Sequence, residues 1–305
     1  MQINQVSNPN ILLDYIHVFN DNISCKVFPN LGASVQELTI NSIPVIDGID
    51  IDESGLEDYK NTFKSSLLFP FPNRVQNGLY IFNQEPYQLN INEKPLKNAI
   101  HGLVYDKKFE LEKSEAKDTH AALTLSYSSN GNLQGFPFSF KFSVSYFLNA
   151  LGELAVRFSA ENLGDKAFPF GFGWHPYFTC ATIANNSLTF KAKNQFINSE
   201  RNIPIEFVSS KFTEPFLIKD EFFDDAFTLD ASEVQLEDEN YTLNLDFENN
   251  TDAYLQIYTP PHRKTIAIEP MTCPADSFNN KYGLKILKPK ESYSWEMRLT
   301  IKTKK

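Results

Sequence analysis

Apolar and polar residues alternate along much of the chain from residue 119 onward. The clearest run is 136–146, where Phe, Val and Tyr at even positions alternate with Ser and Lys at most odd positions. A period of two places the two sets of side chains on opposite faces of a β-strand. The pattern recurs in 123–127, 154–159, 241–248, 265–269 and 293–301. We therefore predict antiparallel strands that each bury one face.

The first part of the chain is more mixed. Strands are predicted at 23–27 and 34–40, whereas Leu56, Tyr59, Phe63 and Leu67 have the spacing of a short helix. Asn77-Gly78 is a strong signal for a hairpin turn. The chain shows no long helical period and no repeat of fixed length. We predict an all-β fold, a large antiparallel β-sandwich that forms a single domain over residues 1–305.

Composition and charge narrow the classes of function. Hydrophobic residues make up 42% of the chain and include 27 Phe, which is enough for a sizeable core. The net charge of -10, with no basic stripe, argues against nucleic-acid binding. No run approaches the roughly 20 apolar residues that a membrane span needs, and the first ten residues hold no apolar signal core. Cys25, Cys180 and Cys273 are unpaired in spacing, so we expect a reducing, cytoplasmic setting and no zinc site of cysteine type.

The segment 168–178, FPFGFGWHPYF, combines aromatic rings, two glycines and one titratable side chain, His175. Pro176 favours an extended conformation at His175, and the glycines allow a ligand to approach the backbone closely. Such a segment suits a site that stacks on an apolar face and exchanges a proton. The alternative is that the rings are core residues and His175 has an ordinary structural role.

Four other segments contain candidate functional groups. Arg74 lies between prolines and a tight turn and can offer a rigid fork of donors, although a solvated loop arginine is the commoner case. His101 is followed by a glycine, and the alternative there is a loop histidine that bonds a carbonyl. Asp224 and Asp225 lie in an apolar run, where at most one can point into a given cleft, and a simple turn is equally plausible. Glu269 closes an apolar strand, where partial desolvation would make it a usable base or leave it an ordinary strand end.

Taken together and in this order, these segments resemble the aldose 1-epimerase (galactose mutarotase) family. The resemblance runs from about residue 71 to residue 274. It rests on five motifs, which are NRVQNG at 73–78, NAIHG at 98–102, HPYF at 175–178, DDAF at 224–227 and IEPMT at 268–272. It implies the galactose mutarotase-like supersandwich, which agrees with the strand pattern.

The resemblance also implies a reaction, the interconversion of the α and β anomers of a free aldose such as galactose or glucose. His175 would protonate the ring oxygen, and Glu269 would take the proton of the anomeric hydroxyl. No metal or cofactor is expected, and the partner is a small sugar bound to a monomer or homodimer. The residues implied in sugar binding are Asn73, Arg74, His101 and Asp224, with Asp225 as the near alternative to Asp224. Trp174, Tyr177 or Phe172 would stack on the sugar.

The chain departs from the family pattern at Leu103. This leucine replaces the second glycine that often follows the first histidine in the family, which affects the loop shape.

Three other functions compete with this interpretation. Relatives that act on hexose 6-phosphates would need several convergent cations, and the chain has only five arginines, at positions 74, 157, 201, 263 and 298. A non-catalytic sugar-binding protein of the same fold is a second alternative. A hydrolase or lyase that uses the carboxylates ranks last, because glycosidases need two carboxyl groups across the bond.

Overall fold

The computed structural model describes residues 1–247 and 253–304, so Glu248 of the predicted alternation lies outside the described residues. The strands of the first part are β1 Gln2–Val6, β2 Tyr15–Phe19, β3 Ile23–Phe28, β4 Ser34–Ile40, β5 Ile43–Asp47, β6 Leu67–Leu68, β7 Arg74–Gln76, β8 Leu79–Phe82, β9 Glu85–Gln88, β10 Asn98–Ile100, β11 Glu110–Ala116, β12 His120–Asn130 and β13 Ser139–Asn149.

The later strands are β14 Glu153–Asn162, β15 Phe168–Phe170, β16 Gly173–Trp174, β17 Tyr177–Thr179, β18 Ser187–Asn198, β19 Pro204–Ser209, β20 Phe216–Leu217, β21 Asp224–Glu237, β22 Tyr241–Phe247, β23 Ala253–Tyr258, β24 Thr265–Met271, β25 Lys285–Leu287 and β26 Ser292–Thr303. The helices are α1 Glu53–Thr62 and α2 Ser277–Asn280, and two 3-10 turns span Ile11–Leu13 and Ile183–Asn185.

Twenty of these strands belong to one continuously hydrogen-bonded sheet, and the pairings between described strands are antiparallel. Pairing runs from β11 through β12, β13, β14, β26, β22 and β21 to β23 and β24. It continues through β17, β5, β4, β3 and β2 to β1. The predicted all-β class and large antiparallel β-sandwich are therefore confirmed.

The alternating segments bury one face, as their pattern predicts. In β13 the side chains of Phe140, Phe142 and Val144 are fully buried and alternate with half-buried polar residues. The rings of Phe69 and Phe142 stack with centroids 4.8 Å apart and an interplanar angle of 5°. Tyr146 donates its hydroxyl proton to the carbonyl of Ala33 at 2.7 Å, which joins β13 to the chain just before β4. The aromatic residues of the sheet thus form a continuous core.

The predicted helix is correct in place but not in length. Asp52 caps α1 by accepting a hydrogen bond from the backbone of Gly55 at 2.9 Å. The helix ends at Thr62 because Phe63 adopts a left-handed conformation with φ of 53°. Leu67, which has the helical spacing, belongs instead to β6. The sharp end of α1 leaves the chain from Phe63 to β6 free to form one wall of the cleft described below.

The hairpin predicted at Asn77-Gly78 is wrong in one respect. Both residues have positive φ, 57° and 62°, as the turn chemistry requires. The flanking strands do not pair with each other, however, because β7 pairs with β10 and β8 pairs with β9. The backbone N–H of Gln76 instead donates to Asp276 at 2.8 Å, so the turn separates two small sheets.

Two further sequence expectations concern cysteines and membranes. Cys25, Cys180 and Cys273 are all buried and free. Within the described ranges 1–247 and 253–304, no helix has the length and apolar character that a membrane crossing requires. The single domain over 1–305 stays a prediction.

Candidate active site

A cleft of about 730 Å³ lies where several strand ends and connecting loops converge. Glu269 enters it from β24, and His175 comes from the link between β16 and β17. His101 follows β10, Arg74 begins β7 and Asp224 begins β21. Residues far apart in the sequence therefore line one depression in the molecule.

His175 and Glu269 form a close pair in this cleft. The distance from Nε2 of His175 to Oε1 of Glu269 is 3.4 Å, and their side chains are only 6% and 2% exposed. Nδ1 of His175 and Oε2 of Glu269 are buried and have no hydrogen-bond partner among the described residues. Because buried polar atoms are normally satisfied, these two atoms are available to a bound molecule.

The backbone and neighbouring rings fix the position of His175. Its N–H donates to Ser66 at 3.1 Å, and its carbonyl accepts from Ser65 at 2.8 Å. The imidazole stacks on Tyr177, with centroids 5.0 Å apart and planes 10° apart. It also meets the edge of His101 at 4.9 Å. This packing holds the imidazole in one orientation before a ligand binds.

His101 depends on the glycine that follows it. It has a φ of 64°, and its N–H donates to Asn73 at 2.9 Å. Gly102 also has positive φ, and a Cβ there would lie 2.3 Å from the carbonyl oxygen of Phe69. Leu103 then donates its N–H to Phe69 at 2.7 Å. The loop thus requires one glycine, and a leucine fits at the next position.

Arg74 is held by a carboxylate that the sequence did not single out. Its Nε lies 3.0 Å from each carboxylate oxygen of Glu93, and Nη2 lies 2.8 Å from Oε1. Nη1 donates to Oδ1 of Asn73 at 3.2 Å. Asn73 in turn donates to Gln256 at 3.2 Å. Asn73 and Arg74, which the sequence analysis named as sugar-binding residues, both lie in the cleft lining, together with Glu93 and Gln256.

The structure distinguishes the two adjacent aspartates. Asp224 lines the cleft and accepts hydrogen bonds from Gln256 at 2.9 Å and Asn202 at 3.1 Å. Asp225 points to the other side of β21, where Gln195 donates to it at 2.7 Å. Of the two aspartates, Asp224 therefore lies in the cleft lining and Asp225 bonds a residue outside it.

The predicted stacking residues divide in the same way. Tyr177 lines the cleft, whereas Trp174 is fully buried and donates its indole N–H to the carbonyl of Ser65 at 3.2 Å. The expectation that Trp174 could stack on a ligand is therefore wrong, and Phe172 is excluded by the same complete burial. Both faces of β16 are buried, so this segment has no alternation of polar and apolar residues that could show which side chains are accessible to a ligand.

Several cleft residues carried no signal in the sequence. Phe63 and Tyr258 are half-buried rings in the lining, and the exposed His262 also belongs to it. The ring of Phe63 packs 4.8 Å from that of His101. Phe63 and Tyr258 are more accessible than Tyr177, which is 3% exposed. They are thus better placed for stacking than the rings named from the sequence.

Burial sets the protonation of the central groups. Together with the smaller effect of nearby Arg74, it lowers the pKa of His175 to about 3, and it lowers the pKa of His101 well below its ordinary value. Burial raises the pKa of Glu269 well above its ordinary value, and the charge of Asp224 raises it further. Partial desolvation also raises the pKa of Asp224. Burial therefore disfavours the charged forms of the two imidazoles and of the Glu269 carboxyl group.

The same residues include the donor set of a metal site. His101, His175 and Glu269 each offer one ligand atom, and these atoms all lie within 4.8 Å of one another. Two histidines and one glutamate can bind zinc in proteins. They are also a complete set of proton donors and acceptors, and shifted pKa values in a cleft mark candidate acid and base groups.

Comparisons with known proteins show the family to which the chain belongs. A family model described as Aldose 1-epimerase matches residues 15–300. The uncharacterised protein YihR of Escherichia coli is 29% identical over 268 residues, which cover 84% of this chain and 83% of YihR. YphB, also uncharacterised and from Escherichia coli, is 24% identical over 77% of this chain and 82% of its own length.

Solved structures share the fold. A galactose mutarotase-like protein from Clostridium acetobutylicum superposes with a TM-score of 0.88 at 22% identity, covering 99% of both chains. A galactose 1-epimerase from Lactobacillus acidophilus gives a TM-score of 0.80 at 18% identity, covering 100% of this chain and 99% of its own. These likenesses identify the supersandwich fold that the sequence predicted.

Proposed function

Because the chain belongs to the aldose 1-epimerase family, we propose that it interconverts the α and β anomers of a free aldose by acid–base catalysis. The observation that carries the proposal is the buried pair of His175 and Glu269, with Nε2 and Oε1 3.4 Å apart. Each of these side chains keeps one buried polar atom without a partner among the described residues. A sugar is rich in the hydroxyl groups that such atoms would bind.

The proposed reaction needs one proton in the pair and returns it at the end. Glu269 takes the proton of the anomeric hydroxyl while His175 gives a proton to the ring oxygen. The bond from the anomeric carbon to the ring oxygen breaks, and the free aldehyde forms. After rotation about the first carbon–carbon bond, the two groups exchange roles and the ring closes. Acid and base catalysis each contribute about 10²–10⁴-fold.

Because burial favours the neutral forms of both Glu269 and His175, the proposal requires a proton transfer from Glu269 to His175 when the sugar binds. The two groups are 3.4 Å apart, which leaves a short path for the proton. Hydroxyl groups of a bound sugar can donate to the carboxylate and so stabilise its charged form. The charge of Arg74 favours the ionised form of Glu269 but also lowers the pKa of His175, so it has opposing effects on this transfer.

The two largely buried cations in the cleft lining are already paired with carboxylates, which favours a sugar without a phosphate. Arg74 is already paired with Glu93, and both side chains are largely buried. Lys64 is paired with Asp47 at 2.9 Å and Asp58 at 3.1 Å, and its side chain is 12% exposed. A phosphate would compete with these carboxylates for the same cations. We therefore retain hexose 6-phosphate mutarotation as the alternative rather than the main proposal.

The first experiment is NMR or polarimetry of freshly dissolved α-glucose and α-galactose, and of glucose 6-phosphate, with and without the protein. We expect faster anomer exchange, lost in His175→Ala and in Glu269→Gln. His120→Gln is the control, because this histidine bonds Glu115 in β11 outside the cleft. A folded protein that accelerates none of the three sugars would contradict the proposal. Sugar binding measured by calorimetry would then identify a non-catalytic binding protein.

A matched pair of variants tests the assignment of the sugar-anchoring residue. Asp224→Asn should raise KM, because it removes a carboxylate that accepts hydrogen bonds inside the cleft. Asp225→Asn should leave KM unchanged, because that side chain lies on the opposite side of the strand. Equal effects of the two substitutions would contradict the assignment.

The proposal also includes the cellular compartment, which we expect to be the cytoplasm. Three buried, free cysteines are compatible with a reducing compartment such as the cytoplasm, where thiols stay reduced.

A further inference from the structure

Two chains of hydrogen bonds connect Arg74 with Asp224. The inner chain runs through the cleft lining, from Nη1 of Arg74 to Asn73 at 3.2 Å and from Asn73 to Gln256 at 3.2 Å. Gln256 then donates to Asp224 at 2.9 Å. The inner chain thus fixes one oxygen of Asp224 and one nitrogen of Arg74.

The outer chain begins at Glu93 in the cleft lining and continues through residues outside that lining. Both carboxylate oxygens of Glu93 accept from Arg74, and Oε2 also accepts from Asn98 at 2.8 Å. The Oδ1 of Asn98 accepts from Arg201 at 3.1 Å. The next residue, Asn202, donates to the second oxygen of Asp224 at 3.1 Å. The two chains therefore close a ring around the part of the cleft that holds Arg74 and Asp224.

Arg201 closes this ring from outside the cleft lining. It lies in the turn between β18 and β19, and its guanidinium reaches across to the segment before β10. Its Nε donates to the carbonyl of Leu96 at 2.8 Å, and its Nη2 donates to that of Lys97 at 2.9 Å and to Asn77 at 3.0 Å. The side chain thus connects the turn that contains Asn202, which donates to Asp224, to β10, which pairs with the strand that contains Arg74.

We propose that Glu93 and Arg201 are positioning residues that hold Arg74 and Asp224 in the arrangement in which they bind the sugar. A guanidinium has five donors in a plane, and a bidentate carboxylate fixes the direction of that plane. With Nε and Nη2 engaged by Glu93, the Nη1 side of Arg74 remains directed toward Asn73 and the cleft lining. This inference rests on the proposed function, because it concerns the binding of the same sugar.

The ring leaves the reacting pair untouched. His175 and Glu269 come from other elements, and neither is a member of the ring. Loss of the ring should therefore weaken binding more than it slows the chemical step. A change in KM at constant kcat is the signature of lost uniform binding. A purely structural role would instead lower the thermal stability and the fraction of active protein.

The kinetic test compares Glu93→Gln, Arg201→Gln and the double variant with the natural protein. Each single variant should raise KM by on the order of tenfold, the size expected for one lost charge-assisted hydrogen bond, with kcat changed less than about twofold. The double variant should have nearly the KM of Glu93→Gln, because both substitutions break the same ring. Arg201→Lys should recover little, since an ammonium cannot reproduce the fork. Arg298→Gln, on an exposed face of β26, is the control for loss of a positive charge.

A second measurement does not depend on any sugar. The Nε–H of Arg74 should exchange slowly with solvent in the natural protein, because Glu93 accepts it and both side chains are largely buried. In NMR spectra this signal should broaden or disappear in Glu93→Gln and also in Arg201→Gln. If the natural protein acts on no sugar, the proposed function fails while this signal still tests the ring. A protected signal in Arg201→Gln, or additive KM effects in the double variant, would overturn the inference.

Discussion

Replacement of Glu269 by Gln should make the protein more stable while it abolishes activity. Glu269 is 2% exposed, and its Oε2 has no partner among the described residues. Burial raises its pKa in the folded state well above the ordinary value of 4.5. The folded protein therefore keeps a proton at pH values where the unfolded chain has lost it. Stability must then fall as pH rises between 4.5 and the folded-state pKa.

The size of this effect follows from proton linkage. One proton bound only by the folded state changes the free energy of unfolding by about 1.4 kcal/mol per pH unit. His175 has the opposite sign, because its pKa is lowered from 6.5 to about 3 and it gains stability as pH rises through this window. The two slopes have opposite signs, and the His175 slope ends at pH 6.5, the ordinary pKa of its imidazole.

The assay is urea unfolding of both proteins at several pH values from about 5 to about 8. The free energy of unfolding of Glu269→Gln, relative to that of the natural protein, should increase by up to about 1.4 kcal/mol for each unit of rising pH. Glu110→Gln, at an exposed position of β11, corrects for the general change in net charge. A stability difference that stays constant with pH would refute the reasoning, because it would mean that Glu269 loses its proton at the same pH folded and unfolded.

Three further predictions concern packing and thiols. Phe142→Ala should lower the free energy of unfolding by about 3–5 kcal/mol, because the ring is fully buried against Phe69; calorimetry at two scan rates checks this. Gly171→Ala should cost about 1–3 kcal/mol, since its Cβ would lie 2.2 Å from Sγ of Cys273. Cys273→Ala should recover part of that cost in the double variant. A thiol reagent should label none of the three buried cysteines in the folded protein and all three in denaturant; rapid labelling of the native form would contradict their burial.

The strands were predictable because their signal is local. The alternation in β13 and β26 directly encodes which face meets the core, and the structure follows it. The cap at Asp52 is local too, yet the end of α1 was missed because Phe63 continues the helical spacing. Its left-handed conformation depends on packing against His101 and Tyr105, which the sequence pattern does not contain.

The site was predictable only where it carries a motif. His175, Glu269, His101 and Arg74 were singled out from their local context, the resemblance gave them roles, and all of them line the cleft. Glu93 was missed because a single glutamate in a loop is indistinguishable from a solvated one until Arg74 lies beside it.

Gln256 and Asn202 were missed for the same reason, since an amide gains its role from a tertiary partner. Trp174 was misplaced because a buried and an accessible aromatic residue look alike in an aromatic run.

The long sequence separations in the cleft have a consequence for folding. Asn73 and Gln256 are 183 residues apart and yet share a hydrogen bond, and Gln76 and Asp276 are 200 apart. Contacts of this kind form late, because the intervening chain must be ordered first. Activity should consequently be the last property to return after dilution from denaturant, behind the far-ultraviolet signal of the strands. The rate at which sugar turnover returns would then report the rate at which these long-range contacts form.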